Sequence, residues 1–506
     1  MTPRQIRIID RNGRSHPGEI RRVGQELLGT ITPGEPLEPR WMLLEWEPED
    51  LRDRRFLVNG FQSWSETYTA GSRTRMPRLN PLAGLVGLDR YGDSHFYRPP
   101  KGPGRLYSHE YLRVFDPSGE KELTFLGNLA PEKAYGIFQA DLRTGILSFR
   151  TDLEGLRLEP GEEFTGIRLL ETDTAEAWFR YRKLDCSRLP KLTGWTSWYN
   201  YYTGITEKIL LENLKALEAA DLGLEIFQID DGYQHAVGDW LEPNGKFPGG
   251  MDSLAEEISR RGMTPGLWLA PFACEKKARL ALRHPEFLVR DLRGRAVPGG
   301  FNPGWSGIFY GLDVLHPGVR EYLEEVFDTV IRRWGFRFLK LDFLQAAGIL
   351  PRKGKTRAMI MTEGYDLLRR LRGNVPLLGC GAPLGPAAGR FEYMRIGCDV
   401  APYWEDRFLA RLGYRERVST ASSLNSTRNR RFLNGRAYLN DPDVFILRDT
   451  REVTLSEEQK LTLFRENLSS GGLVFFSDDI RTYPQEKLSL LREELRNFRI
   501  RPLSAG

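Results

Sequence analysis

Two rhythms of apolar residues divide this chain. Up to about residue 185 the apolar positions fall in short runs rich in aromatic and β-branched side chains, and most are joined without a helical period between them. Runs at 5–10, 41–46, 56–60, 106–115, 122–127, 134–142 and 145–153 read as strands, some separated by turn formers such as Pro117-Ser118-Gly119 and Pro160-Gly161. Strand after strand predicts a β-sandwich. Asn59-Gly60-Phe61-Gln62-Ser63-Trp64-Ser65-Glu66 opens a Pro- and Gly-rich loop that runs to about residue 103. Aromatic loops of that length are more often functional than filler. Residues 174–184 read as a connecting helix.

After Pro190 strands alternate with helices. The strands are expected at 194–201, 225–230, 265–270, 336–343, 375–379, 393–398, 437–439 and 472–476. Helical stretches at 206–220, 252–261, 317–334, 356–372, 456–468 and 485–497 fall between or after them, the first opened by Thr206 as an N-cap. Eight strands over about 300 residues is the count and size of a (β/α)8 TIM barrel. A doubly wound open sheet is the second choice, because no Gly-rich dinucleotide turn follows the first strand. The predicted organisation is therefore α/β: an N-terminal β-sandwich domain at 1–185, a (β/α)8 barrel at 186–497 and a short tail at 498–506.

In a barrel the chemistry sits at the C-terminal ends of the strands. Those ends carry Trp198-Tyr199, Asp230-Asp231, Trp268, Asp342, Cys380, Asp399, Asp441 with Asp443, and Asp478-Asp479. In the run from Phe336 to Phe343, Phe336, Phe338, Lys340 and Asp342 share one parity. A lysine and an aspartate on a buried face are costly unless paired, so they form either a structural ion pair or part of a site. Acids and flat aromatics at nearly every strand end suit a sugar, whose hydroxyls donate to carboxylates and whose C–H face packs on an indole. Two carboxylates suffice to cleave a glycosidic bond. Lys340 near Asp342 favours the ionised form that a nucleophile needs, and burial of Asp399 favours the protonated form that an acid needs. Arg395 opposes the latter if it is close, and is assigned to substrate or to another acid.

Composition narrows the alternatives. A chain that is 40% hydrophobic and 28% charged is ordinary for a globular protein. A net charge of +5 is small beside 73 basic and 68 acidic residues, which argues against a nucleic-acid surface. Arg428-Asn429-Arg430-Arg431 reads as a solvated helix end. No apolar segment is long enough to span a bilayer. Four scattered cysteines without a CxxC pair fit a reducing compartment. The opening Met1-Thr2-Pro3-Arg4-Gln5-Ile6-Arg7 has no apolar signal region, so a cytoplasmic location is expected. The six histidines form no HxH or HExxH, and neither GxSxG nor a P-loop is present, so metallohydrolase, serine-hydrolase and phosphoryl-transfer readings are weak. His284 and His316 each precede a proline and read as helix-boundary residues.

Six motifs occur in order: Gly194-Trp195-Thr196-Ser197-Trp198-Tyr199, Gln228-Ile229-Asp230-Asp231-Gly232-Tyr233, Gly266-Leu267-Trp268-Leu269-Ala270-Pro271-Phe272, Lys340-Leu341-Asp342-Phe343, Gly379-Cys380-Gly381-Ala382-Pro383-Leu384 and Arg395-Ile396-Gly397-Cys398-Asp399. The set resembles the α-galactosidases of glycoside hydrolase family 36. Asn59-Gly60-Phe61-Gln62-Ser63-Trp64 resembles the segment that the family's N-terminal β-domain extends over the barrel mouth. The resemblance implies a retaining exo-acting enzyme that uses no metal or organic cofactor, with Asp342 as nucleophile and Asp399 as acid/base. It implies that Asp230 and Asp231 bind the galactose 4- and 6-hydroxyls, that Lys340 bonds ring hydroxyls and that Trp268 stacks on the sugar. Because neighbouring strand residues face opposite ways, the strand must break before Asp231. Cys380 and Arg395 are placed near the 2-hydroxyl, and Trp198, Tyr199 and Trp64 along the pocket wall. Each has a structural alternative: rim packing for Trp198 and Tyr199, β-domain core for Trp64, small buried filler for Cys380. Asp441 and Asp443 read as supporting residues. The implied substrate is a small oligosaccharide of the melibiose or raffinose type. Alternatives on the same scaffold are an α-N-acetylgalactosaminidase, a raffinose-synthase-like galactosyl transferase, or a non-catalytic sugar-binding protein. Many family members carry a C-terminal β-domain, whereas here only the tail follows the last helix. Nothing in the sequence specifies an oligomeric state.

Overall fold

The computed structural model describes residues 2–90, 92–413 and 419–503. Of the predicted tail, residues 504–506 lie outside the described residues, and the preceding helix Gln485–Ile500 takes in its first part. No helix among the described residues is long and apolar enough to cross a membrane.

The N-terminal part is two antiparallel sheets of six and seven strands. They share one hydrophobic core, with Leu44, Phe138 and Phe149 on one sheet meeting Phe56, Leu126 and Leu169 on the other. All seven predicted runs form strands, but 106–115 is two of them. Arg105–His109 lies in the first sheet and Tyr111–Phe115 in the second, and the chain crosses at Glu110, whose φ is 66°. The strands Ser15–Pro17, Glu19–Val23, Glu26–Ile31, Tyr68–Ala70 and Phe164–Thr172 were not expected. Ser15–Pro17, Glu19–Val23 and Tyr68–Ala70 are sheet edges, where little is buried and the apolar alternation fades. Glu26–Ile31 and Phe164–Thr172 are interrupted by Gly29 and Gly166, which carry no side chain to mark a face.

The second part is a curled sheet whose neighbouring strands all run parallel. Leu192–Thr196, Ile226–Ile229, Thr264–Leu269, Phe338–Leu341, Leu377–Gly379, Tyr393–Arg395 and Leu439–Asp441 pair in that order. Leu473–Phe476 pairs with the first of these on one side and with Val444–Phe445 on the other. The sheet's two edge pieces, Leu439–Asp441 and Val444–Phe445, are separated in the chain only by Pro442 and Asp443. Pro442 has no N–H to give a ladder, and Asp443 has φ 76°. The predicted strand 194–201 stops at Thr196; Trp198–Tyr201 is a helical turn. The helix expected at 317–334 runs Pro317–Asp328 and widens to a π turn at Thr329–Arg333. Thr206 caps its helix by accepting from the Ile209 amide, and His284 and His316 stand at helix boundaries as expected. An unforeseen three-stranded antiparallel sheet, Ala273–Glu275, Gly307–Gly311 and Pro298–Asn302, follows the strand Thr264–Leu269.

The two parts are stitched at the C-terminal ends of the parallel strands. Ser63 N–H donates to the Ala382 carbonyl at 2.9 Å, and Gln62 bridges to Pro383. Arg430 contradicts its reading as part of a solvated helix end: it is fully buried. Its guanidinium donates to Asn59 Oδ1 (3.1 Å), the Ser63 and Ile396 carbonyls (2.9 Å each) and the Gln62 carbonyl (3.3 Å). A charge run says nothing about which member meets acceptors from a distant segment.

Candidate active site

Lys340 and Asp342 leave the strand Phe338–Leu341 on one side, as parity requires. Lys340 pairs with Asp230 rather than with its own neighbour: Nζ to Oδ2 is 2.9 Å, with both side chains buried. Burial pushes the ammonium pKa down, but Asp230 and then Asp342 outweigh it, and Lys340 is held well above its ordinary value. Asp230 Oδ2 also accepts from Gln228 Nε2 (2.6 Å) and Thr196 Oγ1 (3.3 Å). Its strand ends at Ile229, so Asp230 and Asp231 are free of the alternation and both turn into the site. Asp231 Oδ1 accepts from Gln234 Nε2 (2.6 Å) and Oδ2 from Trp305 Nε1 (2.9 Å). Burial pushes Asp231 up to about 6 against those two donors.

Asp342 accepts at Oδ1 from the Phe343 amide (2.8 Å) and at Oδ2 from Trp268 Nε1 (3.1 Å). Lys340 lowers its pKa as expected, but burial is the larger effect and the carboxyl lies above its ordinary range. The Asp399 charge raises it further, and Cys380 opposes by hydrogen bonding. Sheet register brings Cys380 there: Leu341 pairs with Gly379, and the Cys380 amide continues the ladder to the Leu341 carbonyl at 2.8 Å. Trp64, delivered by the N-terminal part, donates its indole N–H to Cys380 Sγ at 3.1 Å and packs edge-on against Phe343. Gly381 must be a glycine here. Its φ is +57°, and a Cβ would stand 2.7 Å from the Trp64 ring.

Arg395 is buried among acids. It reaches Asp441 (2.9 Å), Asp443 (2.8 Å) and Asp399 (3.1 Å). Burial pushes Asp443 up to about 7, Arg395 pulls it down, and Asp399 and Asp441 push it up again. Tyr199, expected on the pocket wall, donates its hydroxyl to Asp443 Oδ2 at 2.5 Å and is 3% exposed. The expected burial of Asp399 is absent: its side chain is 31% exposed, because the chain leaves the sheet after Arg395 and carries the acid outward.

Direct contacts link Asp230, Asp231, Trp268, Lys340, Asp342, Cys380 and Trp64 in one network, and the Arg395–Asp399 pair acts on Asp342 and Cys380 through charge. Trp268 is 2% exposed, wedged between Trp240 and Trp305, and its direct polar contact is with Asp342. Trp198 is half-buried against Tyr202 at the rim. Sequence reasoning missed Trp305, Gln228, Gln234 and Arg430. Trp305 sits in a hairpin between predicted elements, and only the fold carries it to Asp231. Gln228 and Gln234 flank the Asp230-Asp231 motif and were within reach of a reading that asked what would satisfy two buried carboxylates. Among the described residues no group of three or more His, Cys, Asp or Glu side chains is arranged to hold a metal ion. A cavity of about 850 Å³ opens at the opposite end of the sheet, where Leu192, Thr264, Arg337 and Pro376 begin or precede strands, and none of the residues lining it belongs to this network.

Comparison with known proteins gives the arrangement relatives. A family model described as Melibiase matches residues 190–369. The α-galactosidase AgaA of Geobacillus stearothermophilus is 26% identical over 323 residues, 59% of this chain and 38% of that protein. Alpha-galactosidase 1 of Pediococcus pentosaceus is 27% identical over 192 residues, 35% of this chain and 25% of that protein. The chain therefore spans well under half the length of these curated relatives. The solved structure of TtGalA, an α-galactosidase from Thermus thermophilus in complex with p-nitrophenyl α-D-galactopyranoside, superposes with a TM-score of 0.75 at 27% identity, covering 95% of this chain and 94% of that one.

Proposed function

The chain belongs to the melibiase-type α-galactosidases of glycoside hydrolase family 36, and from that premise we propose that it is a retaining exo-α-galactosidase acting through a covalent galactosyl-Asp342 intermediate. The observation that carries this reading is the pairing of two unlike acids. Asp342 is buried and held at both oxygens, while Asp399 is open to solvent on one side and close enough for its charge to act on Asp342.

In the first step the ionised Asp342 carboxylate forms a bond to the anomeric carbon as the glycosidic C–O bond breaks. Asp399 gives its proton to the departing oxygen. In the second, Asp399 takes a proton from water, whose oxygen bonds the anomeric carbon as the Asp342 ester breaks. Trp268 and Phe343 N–H hold Asp342 aimed. Lys340, Asp230 and Asp231 take the sugar hydroxyls, and the axial 4-hydroxyl selects galactose over glucose. The Arg395 cluster braces Asp399, and Trp64 and Trp198 wall the pocket. An acetamide at C2 needs room beside Cys380, where Trp64, Gly381 and Gln345 are already in close contact, so the galactosaminide reading is disfavoured. A sugar acceptor in place of water would give galactosyl transfer from the same intermediate. The neighbour TtGalA is also known bound to stachyose, which supports small α-galactosyl oligosaccharides as substrates.

We take the scaffold as a closed (β/α)8 barrel behind a β-sandwich, divided at about residues 185 and 497. Supporting it, the sheet's two edge pieces, Leu439–Asp441 and Val444–Phe445, lie only two residues apart in the chain, and each is paired with a strand from a different end of the sheet. Hydrolysis of p-nitrophenyl α-galactoside, α-glucoside and α-N-acetylgalactosaminide by wild type and Asp342→Ala tests the function. Turnover is expected on the galactoside, with a loss of about 10³-fold or more in the variant. Undiminished turnover in Asp342→Ala, or preference for the glucoside, refutes it. NMR of the first sugar anomer released separates retention from inversion.

A further inference from the structure

Three indole N–H groups point at the site's acids and thiol. Trp64 holds Cys380 and Trp268 holds Asp342, and both tryptophans stand in the strand-end motifs or the β-domain loop. The third, Trp305, comes from outside them. It sits on the short hairpin between Pro298–Asn302 and Gly307–Gly311. The turn is built locally: Asn302 Oδ1 accepts from the Gly304 amide (3.0 Å), and the Trp305 amide donates to the Asn302 carbonyl (3.1 Å). The ring is then gripped by Phe343 at 4.5 Å, Phe309 at 5.1 Å and Trp268 at 6.3 Å. Phe343 is the residue after Asp342, and Trp268 donates to Asp342. The indole is therefore braced by the two residues that also brace Asp342, and it hands its one N–H to Asp231.

We propose that Trp305 is a positioning residue for Asp231, which with Gln234 clamps one carboxylate oxygen each and so sets the enzyme's selection of the sugar. This rests on the reading of Asp231 as a sugar-binding acid. A carboxylate has about four acceptor positions. Two are taken by Trp305 and Gln234, which stops rotation of the group and leaves the others facing the ligand. The clamp also keeps the acid an acceptor. Asp230 and Glu275 face it with like charge, Lys246 with opposite charge, and Tyr233 is a further titratable neighbour. Against burial, the Trp305 hydrogen bond is the largest influence holding Asp231 ionised. Without it, Asp231 takes up a proton at higher pH and offers a donor where the sugar needs an acceptor.

Two measurements decide this. In the ¹⁵N-tryptophan-labelled full chain, the Trp305 indole resonance, identified by its loss in Trp305→Phe, is expected to titrate with Asp231 near pH 6 and to stop doing so in Asp231→Asn. In kinetics, Trp305→Phe keeps the ring and removes the N–H. KM for p-nitrophenyl α-galactoside is expected to rise about tenfold with kcat changed by less than about threefold. The acid limb of kcat/KM should move to higher pH, the same KM ratio should appear with melibiose, and preference over the glucoside should fall. Gln234→Met is expected to act in the same direction. An indole resonance indifferent to Asp231, or unchanged KM and acid limb in both variants, overturns the proposal. Should wild type cleave no α-galactoside, the enzymatic reading fails, and the indole titration still decides the clamp.

Discussion

Lys340 places a charge in the interior, where an unpaired ion is prohibitive, and Asp230 makes it tolerable. The pair's net contribution to stability is small, whereas half of it is strongly destabilising. Lys340→Met is expected to cost about 3–5 kcal/mol in urea denaturation, because Asp230 loses its ammonium partner and is left buried with the neutral donors of Gln228, Thr196 and the Asp231 amide. Adding Asp230→Leu should recover a large part of that loss; a double variant no more stable than the single one refutes this account. Parity and polarity in the run 336–343 revealed that Lys340 needed a partner. They did not reveal which acid, because Asp342 is nearer in sequence and Asp230 nearer in space. Asp399 shows the converse: its motif marked it, but its exposure depends on where the chain turns after Arg395.

At the scale of elements, strand ends were the least legible part. Trp198 and Tyr199 continue an apolar aromatic run and read as strand. The chain coils instead, so that the Tyr199 hydroxyl reaches Asp443. The loop at Gly379–Ala382 is similar: its glycine was visible, its neighbour was not. Gly381→Ala adds a Cβ 2.7 Å from Trp64 at a positive φ. It is expected to displace the indole from Cys380, to cost about 2–3 kcal/mol and to lower kcat/KM. A variant as stable and active as wild type shows that Trp64 does not need this contact. Where local chemistry decides, the reading was closer. The helix Glu457–Ser470 carries a capping box of Ser456 and Gln459. Ser456→Ala should cost about 1 kcal/mol, seen as a lower thermal midpoint.

At the scale of the molecule, the junction of the two parts carries buried ionisable groups whose state depends on packing. Glu110, where the chain crosses between the antiparallel sheets, is 3% exposed and lies against Gly385 of the second part. Burial pushes it from 4.5 up to about 7, and hydrogen bonds from Asn128 and the Gly136 amide only partly oppose this. An acid raised in the folded state loses stability as pH climbs from its unfolded value to its folded one, since the unfolded chain ionises first. Between about pH 4.5 and 7 this group alone should withdraw on the order of 3 kcal/mol. Glu110→Gln is expected to flatten that dependence and to be the more stable form at pH 8. Equal slopes for the two proteins between pH 5 and 8 would show that Glu110 is not the group responsible.

Sequence alone determined the chemistry available and the class of fold. Apolar runs of strand length, alternating with helical periods after a region of strands only, have few ways to bury themselves, and carboxylates after parallel strands are carried to one end of the sheet. Only the tertiary structure decided the pairings: Lys340 with Asp230, Arg395 with three acids, Arg430 with the carbonyls of the β-domain loop, Trp305 with Asp231. The reason is range. Periodicity reports which side of its own element a residue faces, whereas a buried charge or N–H is satisfied by whatever donor or acceptor the packing of distant elements brings within about 3 Å.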